Sequence, residues 1–303
     1  MSSIDRFKRL HPGTLTSGAS GPISGNESWC NAMTSKTTIT TTPDGFETLA
    51  EAKERRARKI QILGQGGKDQ RRLADKLKRC RKGHRCQSGA CDVCLRLYRL
   101  RLLRQTGAVF AAREHWTRAS VVPAGLLFSP GKLTNAELRT LGKRIDKWLE
   151  RSSLRRRIII AGIDVSLNLQ DNNISGWQLH LYMLIEGENT LRLQEPIKAA
   201  FSPEPTAPIP YDFDEVDAPS NCVTYLFKSI FNRRSRYTTA NGRSIVKKQR
   251  LKAPELRELL QFLDQWRIGE RLILRGIRRN GSHLVIISKR QKVGKSVSLV
   301  VEN

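Results

Sequence analysis

Apolar positions are sparse and unpatterned over the first 45 residues, where GTLTSGASGPISGNES and TSKTTITTTPDG dominate. Such a segment buries too little apolar surface to offset the entropy of ordering, so residues 1–45 are expected to form a disordered arm. From Phe46 the pattern changes. FETLAEAKERRARKIQI and, after a Gly64–Gly67 break, KDQRRLADKLKRC are built of helix formers and predict two basic helices. CLRLYRLRLLRQ predicts a third, basic and amphipathic, with Leu95, Leu97, Leu100, Leu102 and Leu103 available to pack.

Farther along, strand-like runs alternate with helical ones: ASVVPAGLLFS, the helix TNAELRTLGKRIDKWLERS, RRRIIIAGIDVSLN and WQLHLYMLIEG. The stretch SPEPTAPIPYDFDEVDAPS holds five prolines and five acids in 19 residues, which predicts a long connecting loop without regular structure. Beyond it the pattern predicts a helix around CVTYLFKSIF and a basic polar linker RRSRYTTANGRS. A helix at APELRELLQFLDQWR and strands at ERLILRGIRR and HLVIISK follow, and no internal repeat is visible. The expected class is α+β. Four parts are expected: the arm at 1–45, a basic helical module at 46–110, an α+β domain at 111–235 with an acidic Pro-rich loop at 202–220, and a basic C-terminal part at 236–303 whose helix and strands complete the sheet.

Charge sharpens this picture. The 303 residues carry 54 Lys+Arg against 28 Asp+Glu, a net +26, and a chain with that self-repulsion usually has a polyanionic partner. Nucleic acid leads, and DNA first. No apolar run approaches the roughly 18 to 20 residues of a spanning helix and no signal segment is evident, so the expected location is cytoplasmic, away from membranes. Residues 51–104 hold 18 Lys/Arg and 5 Asp/Glu, a net +13, which predicts a surface that tracks phosphates. Its candidate contacts are Arg55, Arg56, Arg58, Lys59, Arg71, Arg72, Arg96 and Arg99, joined downstream by Arg233, Arg234 and Arg236. The pairs Tyr98–Arg99 and Arg236–Tyr237 could stack bases, which leaves RNA open as an alternative partner.

Four of the six cysteines fall within fifteen residues, as Cys80, Cys86, Cys91 and Cys94 in the order C-x5-C-x4-C-x2-C. That clustering points to a metal rather than to a disulfide framework, and a set of four thiolates suits one structural Zn²⁺ ion, with His84 a competing ligand. Four sulfur ligands close the coordination sphere, which argues against a catalytic zinc.

In GWQLHLYMLIEG the strand alternation sets His180 and Tyr182 on one face and Leu179, Leu181 and Met183 on the other. Some forty residues later TYLFK sets Tyr225 and Lys228 at i and i+3 on the predicted helix. A cysteine cluster, a basic helix, a strand, a helix, an I-x-G-x-D strand, the His-Leu-Tyr strand and a Y-x-x-K helix, in that order, resemble the rolling-circle plasmid replication initiators, a branch of the HUH endonucleases. The resemblance runs from about Cys80 to Phe231, half of the chain. It implies a ferredoxin-like α+β domain with an antiparallel sheet. In that family two histidines of the HUH strand, assisted by an acid, hold a divalent metal, and a helix tyrosine attacks DNA to form a 5′-phosphotyrosine link.

Carried over by position, His180 matches the first metal histidine, Asp164 the acid, Tyr225 the nucleophile and Lys228 the lysine one turn on. Tyr182 stands where the second metal histidine belongs, and Gln178 where a histidine often precedes the pair. A neutral phenol is a poor ligand for Mg²⁺ or Mn²⁺, so the metal site is expected to be impaired or rebuilt. Glu204, Asp212, Asp214, Glu215 and Asp217 of the acidic loop could replace the lost ligand or repel stray DNA. The expected function is a DNA-binding, replication-initiator-like protein with a tyrosine nickase site. A zinc-containing DNA-binding regulator without catalysis and an RNA-binding protein are the alternatives.

Overall fold

The computed structural model describes residues 46–170, 173–203, 207, 209–238, 244–281 and 283–287. The expected arm at 1–45 lies outside them. Three helices come first: α1 (Leu49–Gly64), α2 (Lys68–Lys78) and α3 (Asp92–Ala111). A capping box starts α1, where the Thr48 amide donates to Glu51 Oε2 at 2.7 Å and the Glu51 amide donates to Thr48 Oγ1 at 3.2 Å. Two amides that a helix start leaves without partners are thereby satisfied. The first two helices bury Ala52, Leu63, Leu73, Ala74 and Leu77, and α3 buries Leu95, Leu102, Leu103 and Val109 in the same continuous core.

Strands and helices then alternate: β1 (Trp116–Val121), β2 (Leu127–Phe128), α4 (Leu138–Arg151), β3 (Ile159–Gln170), β4 (Asn173–Glu186), α5 (Leu191–Ala200), β5 (Tyr211–Glu215) and α6 (Pro219–Tyr225). They are followed by β6 (Asn232–Thr238), β7 (Ser244–Arg250), α7 (Ala253–Asp264), β8 (Leu272–Arg275), β9 (Ile277–Asn280) and β10 (His283–Ile286). The class is α+β. Its centre is the long antiparallel pair β3–β4, in which Gly162 faces Tyr182 and Asp164 faces His180. The paired segments Ile159–Ile163 and Leu181–Ile185 are apolar on both faces but for Tyr182, as strands covered on two sides must be, and Ile159, Ile160, Ala161, Leu181, Met183 and Leu184 are all fully buried.

The rest of the eight-stranded sheet is built outward from this pair. On the β4 side β1 and β2 pair with successive parts of the strand, and β5 lies outside β1. On the β3 side β8 pairs antiparallel with Ile159–Gly162 and β6 pairs parallel with Leu167–Gln170, with β7 outside β6. The parallel β3–β6 pair makes the sheet mixed, whereas a wholly antiparallel one was expected.

Several elements differ from the expectation. The Pro-rich acidic stretch contains β5, whose five residues lie between prolines and include none. The predicted basic linker supplies β6 and the start of β7, so an expected boundary at 235/236 falls inside a strand. The helix expected through Phe231 ends at Tyr225. No helix of the described residues is long and apolar enough to cross a membrane.

Candidate metal centre and strand site

Cys80 follows α2, Cys91 caps α3, Cys94 lies in the first turn of α3, and Cys86 comes from the loop between the helices. The loop reverses at Arg81–His84, where two backbone hydrogen bonds of 3.1 and 3.0 Å close a turn that places Gly83 at φ 83°, a conformation glycine adopts without strain. All four ligand sulfurs lie within 4.8 Å of one another. The Cys80–Cys94, Cys86–Cys94 and Cys80–Cys91 separations are 3.4, 3.6 and 3.8 Å. A tetrahedral ion with metal–sulfur bonds of about 2.3 Å needs sulfurs about 3.8 Å apart, so this donor set fits one. His84, exposed on its turn, is not part of the cluster.

The thiols show why an ion is wanted. Hydrogen bonds from Cys86 and Cys94 hold the Cys91 thiol far below its ordinary range, and donating to Cys91 pushes Cys86 far above. One sulfur ionises at the expense of its neighbours, and a fully deprotonated set needs a cation. The cluster is fastened to α1 by cations. Arg56 Nη1 donates to the Cys80 carbonyl at 2.8 Å, and Lys59 Nζ pairs at 2.9 Å with Asp92, which is fully buried at the start of α3.

The strand site forms where α6 ends on the sheet. A side chain at Gly162 would bring its Cβ within 2.7 Å of the Leu226 carbonyl, so only glycine lets this segment lie on β3. Asp164, His180, Tyr182, Tyr225 and Lys228, scattered over 65 residues, meet there. Lys228 Nζ forms an ion pair with Asp164 Oδ2. His180 Nε2 and Ser166 Oγ share a hydrogen bond of 2.7 Å. The Tyr182 and Tyr225 rings pack with centroids 5.2 Å apart.

The electrostatics match a closed polar cluster. Burial pushes His180 down to about 3, and Arg234 adds to that, so the imidazole is neutral. Burial alone would raise the Asp164 carboxyl, but the Lys228 ammonium outweighs it and holds the group below the usual carboxylate range. Burial likewise lowers Lys228, against the pull of Asp164. A divalent ion does not fit these residues. Asp164 is neutralised by Lys228, His180 is engaged by Ser166, Tyr182 is packed, and among the described residues the cysteine cluster is the one group of three or more metal-ligating side chains.

Among the described residues of the acidic loop, Asp212, Asp214, Glu215 and Asp217 belong to no group of three or more metal-ligating side chains. Asp212 and Asp214 on β5 both pair with Arg118 of β1, a cation only 1% exposed, and Glu215 lies 3.9 Å from His115. Glu204 lies outside the described residues. Sequence reasoning missed Arg118 and Ser166 as partners of this region. A lone arginine in the strand WTRASV, otherwise apolar or small, was the available signal.

No family model, curated protein or solved structure matches the chain.

The predicted phosphate contacts divide into two groups. Arg55 reaches Glu47 and Asp92 at 3.6 and 3.5 Å, Lys59 is 8% exposed, and Arg96 Nε donates to the Glu47 carbonyl at 2.7 Å. Arg99 pairs with Glu47 and lies 4.5 Å above the Phe46 ring, and Arg233 pairs with Glu255 at 3.2 Å. With Arg56 these six serve the fold. Arg58, Arg71 and Arg72 are exposed and Arg234 is half-buried, while the side chains of Arg236 and Tyr237 lie outside the described residues.

Proposed function

We propose that the protein is a DNA-binding, replication-initiator-like protein in which Cys80, Cys86, Cys91 and Cys94 hold a structural Zn²⁺ ion and the strand site no longer carries out efficient nicking. One observation carries this reading. Asp164 and His180 face each other on paired strands, Tyr225 at the end of α6 packs on Tyr182 two residues along from His180, and Lys228 just beyond α6 pairs with Asp164, which is in keeping with the resemblance to the HUH class, yet the acid is neutralised by an ammonium rather than left open to a metal. With Tyr182 in place of the second histidine, no pair of imidazoles faces that acid.

What remains is binding. Exposed Arg58, Arg71 and Arg72 lie on the first two helices of a chain with net charge +26, and phosphate neutralisation by such groups gives salt-dependent affinity. Anisotropy titrations against single-stranded DNA, duplex DNA and RNA at matched salt test this, and a preference for RNA would favour the alternative partner.

A further inference from the structure

Between α3, the loop Cys86–Ala90, the 3₁₀ turn Ile268–Arg271 and β9 lies a pocket of about 210 Å³. Four arginines line it, Arg85, Arg101, Arg267 and Arg279, and no aspartate or glutamate among the described residues does. Leu97, Tyr98 and Ile268 supply its apolar wall, and Leu97 is 39% exposed there. The Tyr98 ring is fixed edge-on against Phe227, centroids 5.1 Å apart, and its hydroxyl accepts from Arg279 Nη2 at 3.1 Å.

The rim is strained. Gln87 has φ 50°, the one left-handed non-glycine among the described residues, and its carbonyl accepts the Ile268 amide at 3.3 Å while Ser88 bridges to Arg267. Strain of this kind persists only where surrounding structure fixes it, and it collects at ligand sites. Here the cysteine cluster holds one end of the loop and the 3₁₀ turn the other.

We propose that this pocket receives one unstacked nucleotide of single-stranded DNA, a claim that rests on the DNA-binding reading above. Four guanidinium groups gathered around one cavity, whose described lining residues include no carboxylate, favour the entry of an anion, and their forked donors match phosphate oxygens. The apolar wall and the Tyr98 ring offer a face for a base, which stacks on such surfaces whatever its sequence. The volume is below the roughly 300 to 1,000 Å³ of pockets for drug-sized ligands, which suits a single base with its sugar. A paired base cannot enter without leaving its duplex.

The test compares the wild-type full chain, R101E/R267E and a control of equal charge change, K143E/R144E on exposed α4 positions, by anisotropy with labelled dT12 and a dT12–dA12 duplex at matched salt. Zinc content and circular dichroism check that each variant is folded. R101E/R267E should weaken dT12 binding about tenfold or more beyond the control, with both variants shifting duplex affinity equally. Equal losses for the pocket and control variants on dT12 would overturn the pocket and leave DNA binding standing. A wild type that binds neither DNA would overturn the DNA-binding reading itself. Photocrosslinking of wild-type protein to 5-iododeoxyuridine DNA, which needs no variant, should label peptides spanning 94–101 or 267–279. Labelling confined to other segments would refute the proposal.

Discussion

The neutral, half-buried His180 makes a quantitative prediction about acid stability. Its folded value is pushed down to about 3 by burial and by Arg234, whereas an imidazole in the unfolded chain titrates near 6.5. A base with a depressed folded value binds its proton first in the unfolded state as pH falls. Its contribution is therefore fully present above pH 6.5 and is lost progressively as pH falls towards 3. Each pH unit inside that window costs about 1.4 kcal/mol, so at pH 5 the loss from this one group is about 2 kcal/mol. His180→Gln keeps a polar partner for Ser166 Oγ and removes the titration. Urea unfolding followed by circular dichroism at pH 7.5 and 5.0 isolates the effect, because acid release of zinc and all other carboxylates contribute to both proteins alike. Wild type should lose about 2 kcal/mol more than the variant between the two pH values. An equal loss in both would show that His180 is not held neutral by the fold.

Other perturbations separate the roles of the remaining residues. Lys228→Met leaves the Asp164 carboxylate without its partner and should destabilise the fold by about 3–5 kcal/mol in urea unfolding at pH 7, whereas the same variant paired with Asp164→Leu should recover much of that loss. Cys91→Ser should abolish stoichiometric zinc in native mass spectrometry and open residues 80–94 to proteolysis; retention of one zinc per chain would count against the four-sulfur site. Replacing exposed Arg58, Arg71 and Arg72 by Ala should lower the slope of log K against log salt by about 2 to 3 without a change in stability. Arg55→Ala/Arg56→Ala should instead destabilise the helical module, since those cations serve Asp92, Glu47 and the Cys80 carbonyl.

Several elements are legible in the amino-acid sequence: the first two helices follow from their helix-forming residues, and α3, α4, the paired strands β3 and β4, and α7 follow from apolar spacing. So does the cysteine cluster, because its ligands are close along the chain. Less visible are the elements at the sheet edges. In β5 the apolar Tyr211 and Phe213 alternate with Asp212 and Asp214, a two-residue period hidden by the prolines on either side. β6 and β7 resemble a linker because they are basic, yet lysine and arginine are what an exposed edge strand such as β7 carries, and the Asn241–Gly242 pair between the runs is a hairpin signal in the sequence. Pro196 inside α5 masks that helix.

Charge is the least legible feature. Arg99 and Glu47 are 52 residues apart, Lys59 and Asp92 are 33 apart, and a one-dimensional count of basic residues cannot anticipate such pairs. Six residues expected on a phosphate-tracking surface are therefore internal partners. The arginines of the pocket beside α3 illustrate the converse: Arg85, Arg101, Arg267 and Arg279 come from segments up to 194 positions apart and converge only in the fold. Asp164, His180, Tyr225 and Lys228 stand out because their order along the chain carries a resemblance, while the ion pair that closes their site depends on where α6 stops.

The most direct test of DNA binding without nicking uses one mixture. Wild-type protein is incubated with a pool of labelled, randomised single-stranded oligonucleotides and Mn²⁺, then divided between native binding analysis across a salt series and denaturing electrophoresis. The account predicts a complex that weakens steeply with salt and leaves no band that survives denaturation. A denaturant-resistant adduct that disappears in Tyr225→Phe would contradict it by showing an active nucleophile, and so would the absence of any salt-dependent complex.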